Sequence, residues 1–245
     1  MNKLSGKTTI ITGAGSGIGK AIAIAFAQEG SNLILASRNT ERLNNTRDQI
    51  KKSGGNAIVV PTDVSKESDV INLFKTSTQE FDKIDILINN SGVMEGGSLE
   101  NLSLKTWNNV INVNLTGVFL CSREAFKIMK SQGNGRIINI GSISAQMPRI
   151  NSLPYSTSKH GIVGLTKCIA LEGRDYNISA STLHPGNVRT ETRFERDKKN
   201  NMDLEPMMST EEFAEIAVTV ASLPPHMTML ESIVLPINQK YVGRG

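Results

Sequence analysis

Ser142, Tyr155 and Lys159 are residue types that could together move a proton to or from a carbonyl oxygen. Lys159 follows Tyr155 by four residues, and positions four apart on a helix share a face. A cationic ammonium would then stand near a phenol, favour the phenolate and draw the Tyr155 pKa from its reference of about 10 towards neutrality. A tyrosine tuned in this way gives or takes a proton at physiological pH. Ser142, if it ends a strand beside that helix, could hold a substrate oxygen while Tyr155 protonates it. A Tyr-x-x-x-Lys pair alone fixes two positions and describes any surface helix turn, so the rest of the chain has to supply the context.

The first context is at the N-terminus. A β-branched run at 8–12 is followed by Gly13, Ala14, Gly15, Ser16, Gly17, Ile18 and Gly19, then by an Ala- and Ile-rich stretch at 18–28 that stops before Gly30. This is a strand, a glycine turn and a helix. Glycines let a backbone approach a pyrophosphate closely, and the free N–H groups and dipole of a helix start favour its charge. The G-x-G-x-x-G spacing is not met, because Ile18 and Lys20 stand where its last glycine would fall. Thr12-Gly13-x-x-x-Gly17-x-Gly19 is the pattern present, and in its βαβ setting it points to a dinucleotide. About 20 positions beyond the turn, an acidic residue would accept from the adenosine ribose hydroxyls and select NAD. Here Ser37 and Arg38 stand in that place, a hydroxyl and a guanidinium suited to the 2′-phosphate of NADP. NADP(H) is the expected cofactor, with NAD(H) the lesser alternative.

The second context is the alternation of elements. Apolar strands are expected at 8–12, 32–36, 57–60, 84–89, 136–140, 178–183 and 231–235, with helical stretches between them, one at 104–131. Strands alternating with helices form a parallel sheet covered on both faces, and right-handed crossovers make it doubly wound, with its ligand crevice at the carboxyl ends of the strands. Gly13, Asp63, Asn89, Ser142 and Pro185 each follow a strand and would gather there. The 245 residues and net charge of +4 suit one α/β domain spanning 1–245 with a sizeable core. No apolar run reaches the length of roughly 20 residues that spans a bilayer, and residues 1–7 lack the apolar centre of a signal peptide, so the reading is a cytoplasmic protein with no membrane partner. Basic pairs such as Lys51-Lys52 read as solvated faces without a nucleic-acid motif. Cys121 and Cys168, inside expected helices, read as small core residues. His160 and His184 lack a third ligand at metal spacing; they read as structural, and no metal is expected.

With these pieces in place the chain resembles the short-chain dehydrogenase/reductase family of NAD(P)-dependent oxidoreductases over nearly its whole length. The matching pieces are the 12–19 turn, Asp63, the Asn89-Asn90-Ser91-Gly92 turn, Asn114, Ser142, Tyr155 with Lys159, and Pro185-Gly186 followed by Thr190. The resemblance implies a seven-stranded Rossmann sheet in the order 3-2-1-4-5-6-7. It implies catalytic roles for Asn114, Ser142, Tyr155 and Lys159, with Asn114 holding a water that links Lys159 to solvent. It also implies a cofactor cradle of Gly13, Ser16, Gly17, Ile18, Gly19, Ser37, Arg38, Asp63, Val64, Asn90, Gly92, Tyr155, Lys159, Pro185, Gly186, Val188 and Thr190. A substrate lid at 193–208 and a homodimer or homotetramer follow from the same source.

The activity implied is reversible reduction of a small carbonyl compound (ketone, aldehyde or 3-oxo compound) to an alcohol. A 3-oxoacyl-carrier-protein reductase has the same core motifs, but such enzymes typically end in a glycine-rich segment, whereas this chain closes on Leu235-Pro236-Ile237-Asn238-Gln239 and the six residues after them. A non-catalytic protein sensing dinucleotides would have no need of the intact Ser, Tyr and Lys set.

Overall fold

Thr8–Thr12 forms β1, a run of β-branched residues buried on both faces of a sheet. The computed structural model describes residues 2–191, 193, 195 and 205–242. Six further strands pair with β1 and with one another, all parallel: β2 (Asn32–Ser37), β3 (Asn56–Pro61), β4 (Ile86–Asn89), β5 (Gly135–Ile140), β6 (Ile178–Pro185) and β7 (Glu231–Val234). Their order is β3-β2-β1-β4-β5-β6-β7.

Neighbouring residues within each strand feed opposite cores, which is why the strands read as continuous apolar runs. Ile11, Leu35, Ile88 and Ile138 pack on one side with Phe26 of α1 (Gly17–Gln28), Leu43 and Ile50 of α2 (Thr40–Lys52) and Phe213 of α7 (Thr210–Ala221). Ile10, Ile34, Leu87 and Ile137 pack on the other with Leu73 and Phe74 of α3 (Glu67–Phe81), Cys121 and Met129 of α5 (Gly117–Gln132) and Ile169 of α6 (Leu153–Gly173). The result is one doubly wound α/β sheet with β1 and β4 flanking the point where the strand order reverses.

The helix expected over 104–131 is broken. α4 (Leu104–Ile111) passes into a π-helical turn, Asn112–Thr116, before α5 begins. Such wide turns recur at functional sites, and this one contains Asn114. Two contacts hold it open. Asn114 reaches sideways to the Val93 backbone, and α5 starts on Gly117, where a side chain would lie 2.8 Å from Val64. Cys121 is buried as expected, but Cys168 is exposed on α6. No helix among the described residues is long and apolar enough to cross a membrane.

Candidate active site

The reversal point between β1 and β4 opens into a cleft of about 330 Å³. Gly13, Ser16, Gly17 and Ile18 from the first turn line it with Ser37 and Arg38 after β2, Asp63 and Val64 after β3, Asn90 and Gly92 after β4, and Thr190 beyond β6. The structure thus gathers most of the expected cofactor residues on one wall-to-wall surface. Gly19 does not line the cleft and has a packing reason instead: a Cβ there would lie 2.3 Å from both the Gly13 carbonyl oxygen and Asn90 Nδ2. Pro185, Gly186 and Val188 do not line it; Val188 pairs with Met208 in an isolated parallel bridge.

Thr12 and Asn90 brace the glycine turn. The Thr12 hydroxyl accepts the N–H groups of Asn90 and Ser91 at 3.0 and 3.1 Å, and Asn90 Nδ2 donates to the carbonyls of Thr12 and Gly13. Ser16 precedes α1 without a capping side-chain bond, and the first turn carries no acidic residue. The helix start therefore offers uncapped backbone donors to an anion.

Asp63 receives the Ser65 hydroxyl at 2.7 Å and the Ser65 N–H at 3.1 Å. Burial alone would raise its pKa, but these bonds and the charges of Arg38 and Lys66 outweigh it and hold the carboxyl below its usual range. A carboxylate and a guanidinium thus face the same end of the cleft. Ser91, Val93, Thr62, Val113 and Glu191 also line it, the last three not singled out in the sequence. Thr62, Val113 and Glu191 neighbour recognised positions without bearing a motif, so only the topology brings them in.

At the other end, β5 and α6 assemble the reactive group. Ser142 follows β5 and caps a short 3₁₀ turn, Ile143–Ala145, with its Oγ accepting from the Ser144 N–H at 3.1 Å. The Ser142 side chain lies beside the Tyr155 hydroxyl, close enough to lower its pKa. Lys159 is buried, donates to the Ile140 carbonyl at 2.8 Å and places Nζ 5.6 Å from the Tyr155 ring centroid. The electrostatics correct the sequence expectation. Burial pushes the Tyr155 phenol above its ordinary value, with Ser142 and the charge of Arg149 offsetting only part of that. Burial also pushes Lys159 down to about 8. The lysine is drawn to a carbonyl and is itself only weakly held in the charged form, so it does not dominate the phenol.

Asn114 lies wholly buried between the two halves. Its Oδ1 accepts the Val93 N–H at 2.8 Å, and its Nδ2 donates to the Val93 carbonyl at 2.9 Å and to Ser158 Oγ at 3.3 Å. Val93 lines the cleft and Ser158 adjoins Lys159, so this amide joins cofactor wall to catalytic helix.

A polar ladder that the sequence reading missed fixes the same elements. Asn89 Nδ2 donates to Asn139 Oδ1 at 2.8 Å and to Ser122 Oγ at 3.0 Å, Asn139 Nδ2 donates to Thr166 Oγ1 at 2.8 Å, and Thr182 Oγ1 donates to Thr166 Oγ1 at 2.8 Å. It crosses α5, β4, β5, α6 and β6. Its signal was the pair of asparagines interrupting apolar strands.

A second hollow of about 630 Å³, mostly apolar, is lined by residues including Leu99, Pro148, Ile150 and Leu153, with Arg149 and His160 among its polar groups. Asn187 is buried nearby and bonds Arg149, Arg193 and Glu205 through its side chain. Most of the lid expected at 193–208 lies outside the described residues.

Residues 7–201 match the family model of the short chain dehydrogenases. The chain is 36% identical over 227 residues to glucose 1-dehydrogenase 2 of Bacillus subtilis, covering 90% of this chain and 88% of that one. It is 34% identical over 209 residues to the 3-oxoacyl-[acyl-carrier-protein] reductase of a Synechocystis species, covering 85% and 82%. Among solved structures it is similar to a variant actinorhodin polyketide ketoreductase with NADPH, with a TM-score of 0.89 and 27% identity over 98% of this chain and 99% of that one. The chain belongs to the short-chain dehydrogenase/reductase family and is an oxidoreductase acting on CH–OH and carbonyl groups.

Proposed function

We propose that this protein is an NADPH-dependent reductase of a small ketone, aldehyde or 3-oxo compound, running in reverse as an alcohol dehydrogenase. The observation that carries the reading is Tyr155 beside Ser142 and Lys159, next to a cleft lined by Ser37 and Arg38. The residues fit a dinucleotide. Uncapped donors at the start of α1 suit its pyrophosphate, and Arg38 suits a 2′-phosphate. The dinucleotide supplies the hydride.

Ser142 holds and polarises the carbonyl oxygen. Tyr155, kept protonated at neutral pH by burial, gives that oxygen its proton. Lys159 supports the tyrosine and the nicotinamide ribose, and Asn114 supports the proton relay through Val93 and Ser158. The ketoreductase relative solved with NADPH favours the cofactor assignment. The pair of exposed helices α5 and α6 supports a homo-oligomer, as is common in the family.

Reduction of a 3-oxoacyl carrier protein is the second reading, favoured by the Synechocystis relative. In this chain the Tyr241 hydroxyl donates to Gln146 at 2.5 Å, so the segment after β7 folds against the loop after β5. Turnover of purified protein with NADPH and with NADH against ketones, aldehydes, 3-oxo esters, sugars and 3-oxoacyl thioesters decides between them. Tight cofactor binding with no reduction of any of these would favour a dinucleotide sensor instead.

A further inference from the structure

His184 is wholly buried on β6, and its ring stands against the peptide of Ser142. Nδ1 lies 2.7 Å from the Ser142 carbonyl oxygen and 3.1 Å from the Ser142 backbone nitrogen. The two contacts need opposite tautomers: the Ser142 N–H can donate only to a bare Nδ1, whereas the carbonyl oxygen, nearer and only an acceptor, takes a proton from Nδ1–H. The ring occupies space that Gly141 leaves open: a Cβ at that glycine would meet Nδ1 at 2.5 Å. Nε2 has no hydrogen-bond partner and faces Glu231 Oε1 at 3.2 Å. Burial lowers the pKa of the imidazole, more than Ser142 and Glu231 raise it, which leaves a single ring proton at neutral pH.

We propose that His184 is a positioning residue of the reaction: its Nδ1–H grips the Ser142 carbonyl and so aims the Ser142 hydroxyl at the substrate oxygen. The inference rests on the reading that Ser142 holds that oxygen. Ser142 is the second residue past β5, where ladder bonds to β6 have ended at Ile140 with Leu183 and only the Gly141 N–H still reaches the Leu183 carbonyl. Its carbonyl also accepts the Ala145 N–H at 2.9 Å, so without the imidazole the peptide would rest on the 3₁₀ turn alone. The hydroxyl accepts from the Ser144 N–H and neighbours Tyr155, so a turn of the peptide displaces the oxygen-binding group relative to the proton donor. The role differs from packing in its chemistry, since it needs a donor at one ring position and not merely a ring.

The test compares His184→Phe, which keeps the ring shape without a donor, with His184→Asn, whose amide can place an N–H at the Nδ1 position. Misplacement of a reacting group by about 1 Å costs up to about 10²-fold in rate, so His184→Phe should lower kcat by about 10- to 10²-fold with KM and NADPH affinity nearly unchanged, and His184→Asn should recover most of it. Wild-type kcat in His184→Phe, or equal losses in the two variants at equal Tm, would overturn the assignment. Nitrogen-15 NMR of histidine-labelled wild type gives a second reading that needs neither substrate nor variant. A neutral His184 protonated on Nδ1 is expected, and one protonated on Nε2 would refute the grip even if no substrate were known. An inactive wild type with an Nδ1–H histidine would instead count against the proposed reaction alone.

Discussion

Lys159 Nζ donates to the Ile140 carbonyl at 2.8 Å, which fastens α6 to the last residue of β5, two positions before Ser142. The lysine is therefore structural as well as chemical. It sets the distance between the strand that presents the serine and the helix that presents the tyrosine.

Burial holds Lys159 down to about 8, whereas in the unfolded chain it titrates near its reference of about 10.4. Between those values the unfolded state binds more protons, so this group's contribution to stability rises with pH across that window. Below about 8 the cost of the buried charge is fully present, on the order of 3 kcal/mol from the displaced pKa. Wild type should gain stability relative to Lys159→Met as the pH is raised from 7 to 10 in paired denaturant titrations. A difference that stays constant over that range would contradict the buried-charge account.

Tyr155→Phe should abolish proton delivery while leaving dinucleotide affinity nearly unchanged. Loss of the general acid is expected to cost about 10² to 10⁴ in rate. Steady-state kinetics with whichever carbonyl the wild type reduces, alongside a fluorescence titration with NADPH, checks both halves. Near-normal turnover in the variant would show that another group protonates the product.

Arg38 faces the cleft beside Ser37. Removing hydrogen bonds to a charged group costs about 1.5–3 kcal/mol, so Arg38→Ala should raise KM for NADPH by about 10- to 10²-fold with little change for NADH. Ser37→Asp, which adds a carboxylate where a 2′-phosphate would lie, should turn the preference towards NADH. The comparison is kcat/KM for both cofactors in all three proteins, and a wild type that prefers NADH would reverse the assignment.

Phe119 on α5 is 43% exposed and Leu171 on α6 is 63% exposed, Cys168 is exposed between them in sequence, and nothing approaches Gly164. These helices carry more apolar surface than a sheet face covers. Light scattering at micromolar concentration should give a homodimer or homotetramer, and Leu171→Glu should shift it towards monomer. A wild-type monomer would mean the face is solvated.

Much of this molecule was legible before its structure. Apolar runs without alternation announced strands buried on both faces, and β1 falls at 8–12 as the β-branched residues indicated. Gly13 to Gly19 marked the cleft despite lacking the usual glycine spacing. The π-turn at Asn112–Thr116 was hidden because one added residue per turn changes no residue type, and the apolar stripe continues on either side of it. The Tyr155 electrostatics were hidden because a four-residue spacing shows which groups are close but not how dry they are. His184 passed for packing because its partner, the Ser142 peptide, is a backbone group with no signature of its own.

The ladder from Ser122 through Asn89, Asn139 and Thr166 to Thr182 has an evolutionary consequence. Losing one rung strands its neighbours without partners in a dry interior, at about 1 to 3 kcal/mol for each, whereas replacing the whole set by apolar residues of similar shape could be nearly neutral. Single steps away from the present arrangement are thus barred even though a distant alternative is open. A strand slipped by one position would send Asn89 and Asn139 to the opposite face, so the same amides also proofread the pairing of β4 with β5. The centre of this sheet can be rewritten only as a block.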